Sequence, residues 1–569
     1  MRVVATAGHV DHGKSSLVMA LTGTNPDRWE EERRRGLTID LGFAHTTLAN
    51  GEDVSFIDVP GHVRFLRNML AGVGGVDACV FVVAATEGWK PQSEEHLRIL
   101  QLVGLRHGLV ALTKIDAVDE EWRALQEMDV RDRLADSFLA DALIIGVSAI
   151  TGEGMDDLRA GLERLVAETP SAQDRNRPRL WVDRVFAAKG SGTVVTGTLT
   201  GGRLAVDQQV RAGSHAARVR AIQSHGEKVK AIGPGHRVAL NLAGVDHTDL
   251  VRGDAVIDPA QWRPTMRFDA TLDVLPTLDH DVSRRGAYFA YIGSGEFPVR
   301  LRVLGSEAIA PGGAGRVRLH LPAALPLVRG DRFVLREAGR DETVGGGEVL
   351  DVAPVLPASK AHPDRSTERV VAEHGWIDVA ELEALTGDHL EPTLERWVVD
   401  PGALAATVQA VRARIQRAGD LGLDVAALDE RERATLGLID DVAVSNGRAR
   451  VAAAPDPFAD HPFVAVLRAG GFAPPDATGV DKAQLRELVR RKLVVEREGI
   501  LFHPAVIDDA AREAAALLRA HPEGFTISQF REALAITRKH AVPLAAELDA
   551  RGITRRRDDV RIAGPKLPA

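Results

Sequence analysis

The chain opens on an apolar run, MRVVATA, followed after a glycine-rich turn by SLVMALTG. The first predicts a buried strand and the second a helix. Apolar stretches of strand length then alternate with helical ones. SFIDVPGH at 55–62, VDACVFVVAATEG from Val76, LVALTKID at 109–116 and LIIGVSAITGEG at 143–154 each read as a buried strand ending in a polar loop. This pattern over 1–172 predicts an α/β domain built on a mostly parallel sheet, with ligands at the strand C-termini. The period then changes. After the polar, proline-bounded linker SAQDRNRPR at 171–179, short β-branched runs follow one another between glycine turns, as in RLWVDRVFAAKGSGTVVTGTLTGG and FAYIGSGEFPVRLRVLG. Many short strands without helical periodicity predict two small β-barrels, 178–260 and 264–353, with a break near PAQWRPT.

A second linker, ASKAHPDRS at 358–366, leads into leucine and alanine at i, i+3, i+4 spacing. Short strand pairs close each helical stretch. The clearest unit is 511–569. There the pattern predicts a helix to about Arg519, another around SQFREAL, a third over Thr537–Arg551 capped by Gly552, and a hairpin turning at Asp558-Asp559. Three helices and a β wing make a winged-helix unit. A similar outline at 461–507, with a hairpin turning at Gly499, and two more units within 365–455 give a tandem of four.

The chemistry is concentrated in the first domain. Residues 8–15, GHVDHGKS, fit the phosphate-binding pattern G-x-x-x-x-G-K-[ST] in the strand–turn–helix context it requires. The loop from Gly8 through His9, Val10, Asp11, His12 and Gly13 to Lys14, Ser15 and Ser16 can wrap a β-phosphate with backbone N–H groups at a helix N-terminus. Lys14 adds a point charge across the β- and γ-phosphates, and Ser15 offers a hydroxyl to Mg²⁺. Asp58, at a strand C-terminus, can hold a Mg²⁺-bound water, and Gly61 can present its N–H to a γ-phosphate. Thr38, in RRRGLTIDLGF, can coordinate Mg²⁺ and order its loop when a γ-phosphate is present, which makes a switch. TKID at 113–116 reads the base. Asp116 accepts from the N1 and N2 hydrogens of guanine, the stem of Lys114 lies over the ring, and Ser148-Ala149 completes the pocket. GTP with Mg²⁺ is the expected ligand pair.

Composition narrows the class. The 569 residues exceed a single core and suit about four to six domains. One cysteine, Cys79, excludes a disulfide framework and a thiolate zinc cluster, and its place in an apolar strand predicts a buried small hydrophobe. No signal-peptide pattern precedes the phosphate loop and no run of 18 apolar residues occurs, so a cytoplasmic protein without a membrane role is expected. The net charge of −9 argues against a general coat for nucleic acid. Residues 511–569 nevertheless hold 11 Lys or Arg against 7 Asp or Glu. Arg538, Lys539, Arg551, Arg555, Arg556 and Arg557 cluster on its last helix and wing, where they can contact the phosphates of a nucleic acid such as a hairpin RNA; winged helices also bind DNA or proteins, so the fold alone does not choose.

GHVDHGKS, RGLTID, DVPGH, TKID and SAITG together resemble the five nucleotide motifs of the translational GTPase superfamily. The resemblance implies that His62, after Pro60-Gly61, orients the attacking water. The family's usual asparagine is Thr113 here, which leaves GTP preference in place and predicts weaker nucleotide binding. KGSGTVVTGTL and the closing TVGGGEVLD are similar to landmarks of the two barrels in the factor that delivers aminoacyl-tRNA. WVDRVFAAKGSGTVVTGT, with a tail of about 200 residues beyond the barrels, resembles in particular the bacterial selenocysteine-specific elongation factors. That resemblance implies a P-loop GTPase domain, two β-barrels and tandem winged-helix units. It also implies an amino-acid pocket formed by Asp183, Arg184 and Arg237, whose basic groups favour a selenolate over the hydroxyl of serine. TRKHAVPLAAELDARGITRRRDD matches the family's final helix and wing, which bind the selenocysteine insertion hairpin of an mRNA. The implied partners are selenocysteyl-tRNA, that hairpin and the ribosome, with the protein a monomer. Two other readings stay open: a general or initiation-type translational GTPase with an unrelated tail, and a nucleotide-gated nucleic-acid adaptor without turnover.

Overall fold

The structure, a computed structural model, describes residues 1–26, 38, 40–61, 66–73, 75–188, 192–340, 342–452, 456 and 458–568. The chain divides into two compact units, Met1–Val398 and Val399–Ala569.

The N-terminal sheet is six-stranded among the described residues. Its strands are β1 (Arg2–Ala7), β2 (Gly42–Thr47), β3 (Asp53–Asp58), β4 (Ala78–Ala84), β5 (Gly108–Thr113) and β6 (Ile144–Gly146), in the order β2-β3-β1-β4-β5-β6. Only β2 runs antiparallel to its neighbour; the others pair parallel. Val3, Val4, Ala5 and Ala7 are wholly buried, as a strand covered on both faces requires. The helices α1 (Lys14–Thr22), α2 (Leu66–Val73), α3 (Pro91–Leu102) and α4 (Glu120–Leu134) lie between these strands in the chain, and α5 (Met155–Glu168) follows the last of them. Because β1 lies between β3 and β4, the loop after β1 opens where the strand order reverses, the position at which such sheets bind ligands. Cys79 is buried in β4 and burial pushes its thiol pKa up, so it is an inert core residue.

Residues 179–257 form the first barrel. Strand Gln209–Ala212 pairs with both His215–Ser224 and Ala255–Ile257, which closes the ring through Arg179–Trp181, Gly192–Thr200 and His236–Ala243. The second barrel, from Thr265–Val274 to Glu342–Asp351, is likewise closed. Arg179 of the first barrel makes a two-pronged ion pair with Asp331 of the second, at 2.6 and 2.7 Å, and its guanidinium lies against Trp181 and Trp262.

The break between compact units does not fall at the linker 358–366. Val370, Val371, Ile377, Leu382, Leu385 and Val398, from the first tail unit, share one apolar cluster with the second barrel, including Phe268 and Phe333. Arg329 reinforces the join with bonds to the Thr386 carbonyl and to Thr367. The apolar face of a helix pair that short needs a neighbour to cover it, and the barrel supplies one.

In the second unit, the last winged-helix domain has the helices Pro504–Ala520, Ile527–Ala533 and Arg538–Ala550 and a three-stranded sheet ending in the wing Thr554–Arg557 and Val560–Ala563. One boundary differs from the sequence reading. The helix of 504–520 begins before residue 511, inside the segment assigned to 461–507, because His503 caps it by accepting from the Ala505 N–H and Pro504 occupies the first turn. The preceding unit turns at Gly499 between Val495–Arg497 and Ile500–Phe502, as the sequence predicts.

Glu487, on the helix Lys482–Arg490, is 2% exposed and ties the second and third tail units together. It accepts from Arg448 at 3.0 Å, Arg490 at 2.6 and 2.8 Å, and Arg491 at 2.7 Å. Burial opposes its charge, but the bonds from Arg490 and Arg491 outweigh burial and lower its pKa to about 2. The folded value lies below the ordinary 4.5, so this contribution to stability is full above that pH and is lost as pH falls from 4.5 towards 2. Glu487→Gln removes the carboxylate that Arg448 and Arg490 share, while Arg491 keeps Asp456, and should cost about 3 kcal/mol near pH 7. Urea unfolding of the full chain at pH 7 and pH 3 checks this: the deficit should shrink at the lower pH.

Candidate functional site

The phosphate loop is held in shape from beneath. Gly8 has φ 136°, and a Cβ there would lie 2.1 Å from the Val82 carbonyl oxygen, so the loop leaves β1 hard against β4. Two side chains of α3 reach the loop: the Gly8 N–H donates to His96 Nδ1 at 3.1 Å and the Val10 N–H to Gln92 Oε1 at 3.2 Å. His12 is fully buried, with Nδ1 3.3 Å from the Val82 carbonyl, and burial lowers its pKa to about 4. It is therefore a neutral packing group under the loop, edge-on to His9 with ring centroids 5.0 Å apart. Asp11 is exposed with φ 62°, and Ser16 is exposed on α1. Lys14 is 5% exposed and donates to the carbonyls of Gly8 at 3.1 Å and His9 at 2.7 Å, which holds its ammonium at the mouth of the loop. Gly61 is buried, and a Cβ on it would fall 2.5 Å from Lys14 Nζ and 2.6 Å from the Val10 nitrogen. Only glycine lets the end of the DVPG segment come this close to the loop.

Three residues far apart in sequence converge beside Lys14. Ser15 Oγ donates to Asp58 Oδ2 at 2.6 Å, and Ser15 Oγ and Thr38 Oγ1 lie 2.8 Å apart. Thr6 Oγ1 donates to the other carboxylate oxygen, Asp58 Oδ1, at 2.7 Å and also accepts from the Val59 N–H at 3.2 Å. Asp58 is completely buried and Thr38 nearly so. A carboxylate and two hydroxyls are the hard oxygen donors that Mg²⁺ prefers, so the residues present fit that ion. Thr6 was not singled out from the sequence. Its signal was a lone hydroxyl in an otherwise apolar strand.

At the end of β5, Thr113 Oγ1 donates to the His12 carbonyl at 2.6 Å, with the Val83 carbonyl at 3.3 Å. The threonine thus fastens the start of the TKID loop to the glycine-rich loop at 8–15. Lys114 has φ 58° and its Nζ lies 3.4 Å from Glu87 Oε1, while Asp116 is exposed on the following turn. Ser148 is buried and its Oγ accepts from the N–H groups of Ile150 and Thr151, which shapes the loop that presents Ala149. His62 lies outside the described residues.

Residues 40–43, which follow Thr38 and lead into β2, meet the first barrel's edge. Asp183 and Arg237 form an ion pair at 2.7 Å, with side chains 6% and 12% exposed. Thr196 Oγ1 donates to Asp183 Oδ1 at 2.7 Å. Arg237 and Arg184 both lie over the ring of Phe43, at 3.5 and 4.5 Å, and Arg184 donates to the Leu41 carbonyl. Asp40 is 3.9 Å from Arg184 and 3.6 Å from Arg252. The three guanidiniums face two carboxylates, which leaves the cluster positive by one charge. Asp40, Phe43 and Arg252 were missed in the sequence, where nothing local links 40–43 to residues two hundred positions on.

On the last winged-helix domain, Arg555, Arg556 and Arg557 are exposed along one strand, and Arg538 and Lys539 are exposed at the start of the helix Arg538–Ala550. Arg551 is engaged within the protein instead, donating to Glu547 at 3.0 Å and Asp508 at 3.2 Å. No helix among the described residues is long and apolar enough to cross a membrane.

Three family models match the chain: the elongation factor Tu GTP-binding domain over 1–169, the β-barrel domain of selenocysteine-specific elongation factor over 282–355, and the winged helix of elongation factor SelB over 516–563. The selenocysteine-specific elongation factor of Desulfomicrobium baculatum is 40% identical over 400 residues, 68% of this chain and 63% of its own length. The Escherichia coli K12 protein of the same name is 33% identical over 432 residues, 73% of this chain and 67% of its own length. The match thus spans somewhat under two thirds of the first of these relatives. A crystal structure of bacterial selenocysteine-specific elongation factor EF-Sec superposes with a TM-score of 0.76 at 26% identity, covering 99% of both chains.

Proposed function

The chain belongs to the selenocysteine-specific elongation factor family, and from that membership we propose that it binds and hydrolyses GTP in order to deliver selenocysteyl-tRNA to the ribosome at UGA codons marked by an mRNA hairpin. The observation that carries this reading is that one short segment touches both chemistries. Thr38 stands 2.8 Å from Ser15 at the phosphate loop, and Phe43, five residues on, lies under both Arg184 and Arg237.

Lys14 presents its ammonium to the β- and γ-phosphates, and the loop from Gly8 to Ser16 wraps them. Asp116 selects guanine by accepting from its N1 and N2 hydrogens, with Lys114 over the ring and Ser148-Ala149 closing the pocket. Ser15, Thr38 and Asp58 would hold Mg²⁺, which when bound neutralises charge on the phosphates. Gly61 offers its N–H at the γ-phosphate, and His62, next in sequence, orients the attacking water. Asp183, Arg184 and Arg237 line the amino-acid site. A selenol ionises more readily than a hydroxyl and is largely a selenolate at neutral pH, so a cluster with one net positive charge favours it over serine.

The tail supplies location. Holding a hairpin near the ribosome raises the local concentration of the bound tRNA at one codon without tighter codon pairing. The exposed set Arg538, Lys539 and Arg555–Arg557 supports phosphate contact, while Arg551 acts from within the fold. Replacing Arg555, Arg556 and Arg557 together by serine should weaken hairpin RNA binding and flatten the slope of log affinity against log salt by about 2 to 3. A salt titration of binding measures it. The delivery reading itself is tested by deacylation: with GTP the protein should protect selenocysteyl-tRNA from hydrolysis, and an unprotected ester would sink it.

A further inference from the structure

We propose that Arg252 is a positioning residue through which the first barrel senses both nucleotide-responsive segments at once; the inference rests on the GTP-switch reading above. Arg252 follows the turn His247–Asp249 and belongs to the first barrel. Its Nη1 donates to Asn68 Oδ1 at 2.7 Å, on α2, the helix that follows the DVPGH loop. Its Nη2 lies 3.6 Å from Asp40 Oδ1, two residues beyond Thr38. That separation is an ion pair and exceeds a direct hydrogen bond. One planar fork therefore spans the two segments that a γ-phosphate would order, a geometry arginine supports and lysine does not.

Asp40 is the shared partner. Its other oxygen, Oδ2, lies 3.9 Å from Nε of Arg184, the neighbour of Asp183 in the amino-acid cluster. Asp40 is about a quarter exposed, as are Arg184 and Arg252, so these pairs are partly desolvated and more than a rim contact. Thr38 and Asp40 are too close in sequence for one to leave Ser15 without displacing the other. The Asp40 contacts thus belong to the arrangement in which Thr38 sits at Ser15, and on this proposal are lost when Thr38 leaves. Contacts made in one arrangement alone stabilise that arrangement, and any ligand that needs it binds more tightly because of them. Arg252 accordingly strengthens GTP binding and leaves GDP binding alone. By the same linkage it lets GTP set the position of Arg184.

Equilibrium affinities of the full chain for GDP and for a non-hydrolysable GTP analogue test this in Arg252→Met, Arg252→Lys, Asp40→Asn and the Met/Asn double variant. Arg252→Met should weaken the GTP analogue about fivefold to tenfold with GDP unchanged. Arg252→Lys should fall between. The double variant should lose less than the sum of the two singles, since the Arg252–Asp40 pair they share cannot be removed twice. Equal losses for both nucleotides, no loss for either, or additive losses would overturn the proposal. Unchanged GDP affinity also reports that each variant is folded. In the same proteins, selenocysteyl-tRNA binding separates the two claims. Arg252 variants that show the GTP effect beside a wild-type chain that ignores the tRNA would refute the delivery reading and retain the latch.

Discussion

Replacing Lys14 with methionine is expected to lower kcat/KM for GTP hydrolysis by about 10²- to 10³-fold, the loss typical of deleting one preorganised charge aimed at a developing anion. The side chain is almost fully enclosed, and its ammonium is held by the carbonyls of Gly8 and His9 at the point where Gly61 closes on the loop. Methionine keeps the length and apolar stem and removes the charge. The fold should therefore persist, with the circular dichroism spectrum and the apo unfolding midpoint near those of the wild type. Single-turnover hydrolysis with ribosomes present would separate the chemical step from nucleotide binding. A variant that hydrolyses GTP at the wild-type rate would remove Lys14 from the site.

Arg237→Met is expected to lower the preference for selenocysteyl-tRNA over the same tRNA carrying serine by about 100-fold, within the 2–5 kcal/mol that truncating one partner of a buried charge pair costs. Two effects add. The cluster of Arg184, Arg237 and Arg252 with Asp40 and Asp183 falls from one net positive charge to none, and Asp183 keeps Thr196 but loses its counter-ion. Arg237→Lys should retain part of the preference, because the charge stays while the stacking over Phe43 weakens. Affinities for the two charged forms of one tRNA measure it. Equal losses for both amino acids would make Arg237 a structural residue of the barrel edge.

The parts of this molecule that were legible in sequence are those encoded by local pattern. The glycine spacing of 8–15 stands between an apolar strand and a helix, and the loop forms there. Glycine turns and short β-branched runs predicted two barrels, and two closed barrels are present. In the last winged-helix domain the helix and hairpin positions follow from amphipathic spacing, the αL cap at Gly552 and the Asp558-Asp559 turn. What periodicity could not convey is which distant residues meet. Thr6 bonding Asp58, Thr113 bonding the carbonyl of His12, and Asp40 shared by Arg184 and Arg252 are tertiary coincidences of strand order. The start of the helix at Pro504 was hidden because its histidine cap follows directly on a strand. The join of the first tail unit to the second barrel was hidden because an apolar helix face carries no label for its partner.

The most direct test of the account is the affinity of the GTP-loaded full chain for selenocysteyl-tRNA against the same tRNA charged with serine. With GTP the chain should strongly prefer the selenocysteyl form, and with GDP that preference should be lost. Equal affinity for both amino acids, or binding that ignores the nucleotide, would contradict it.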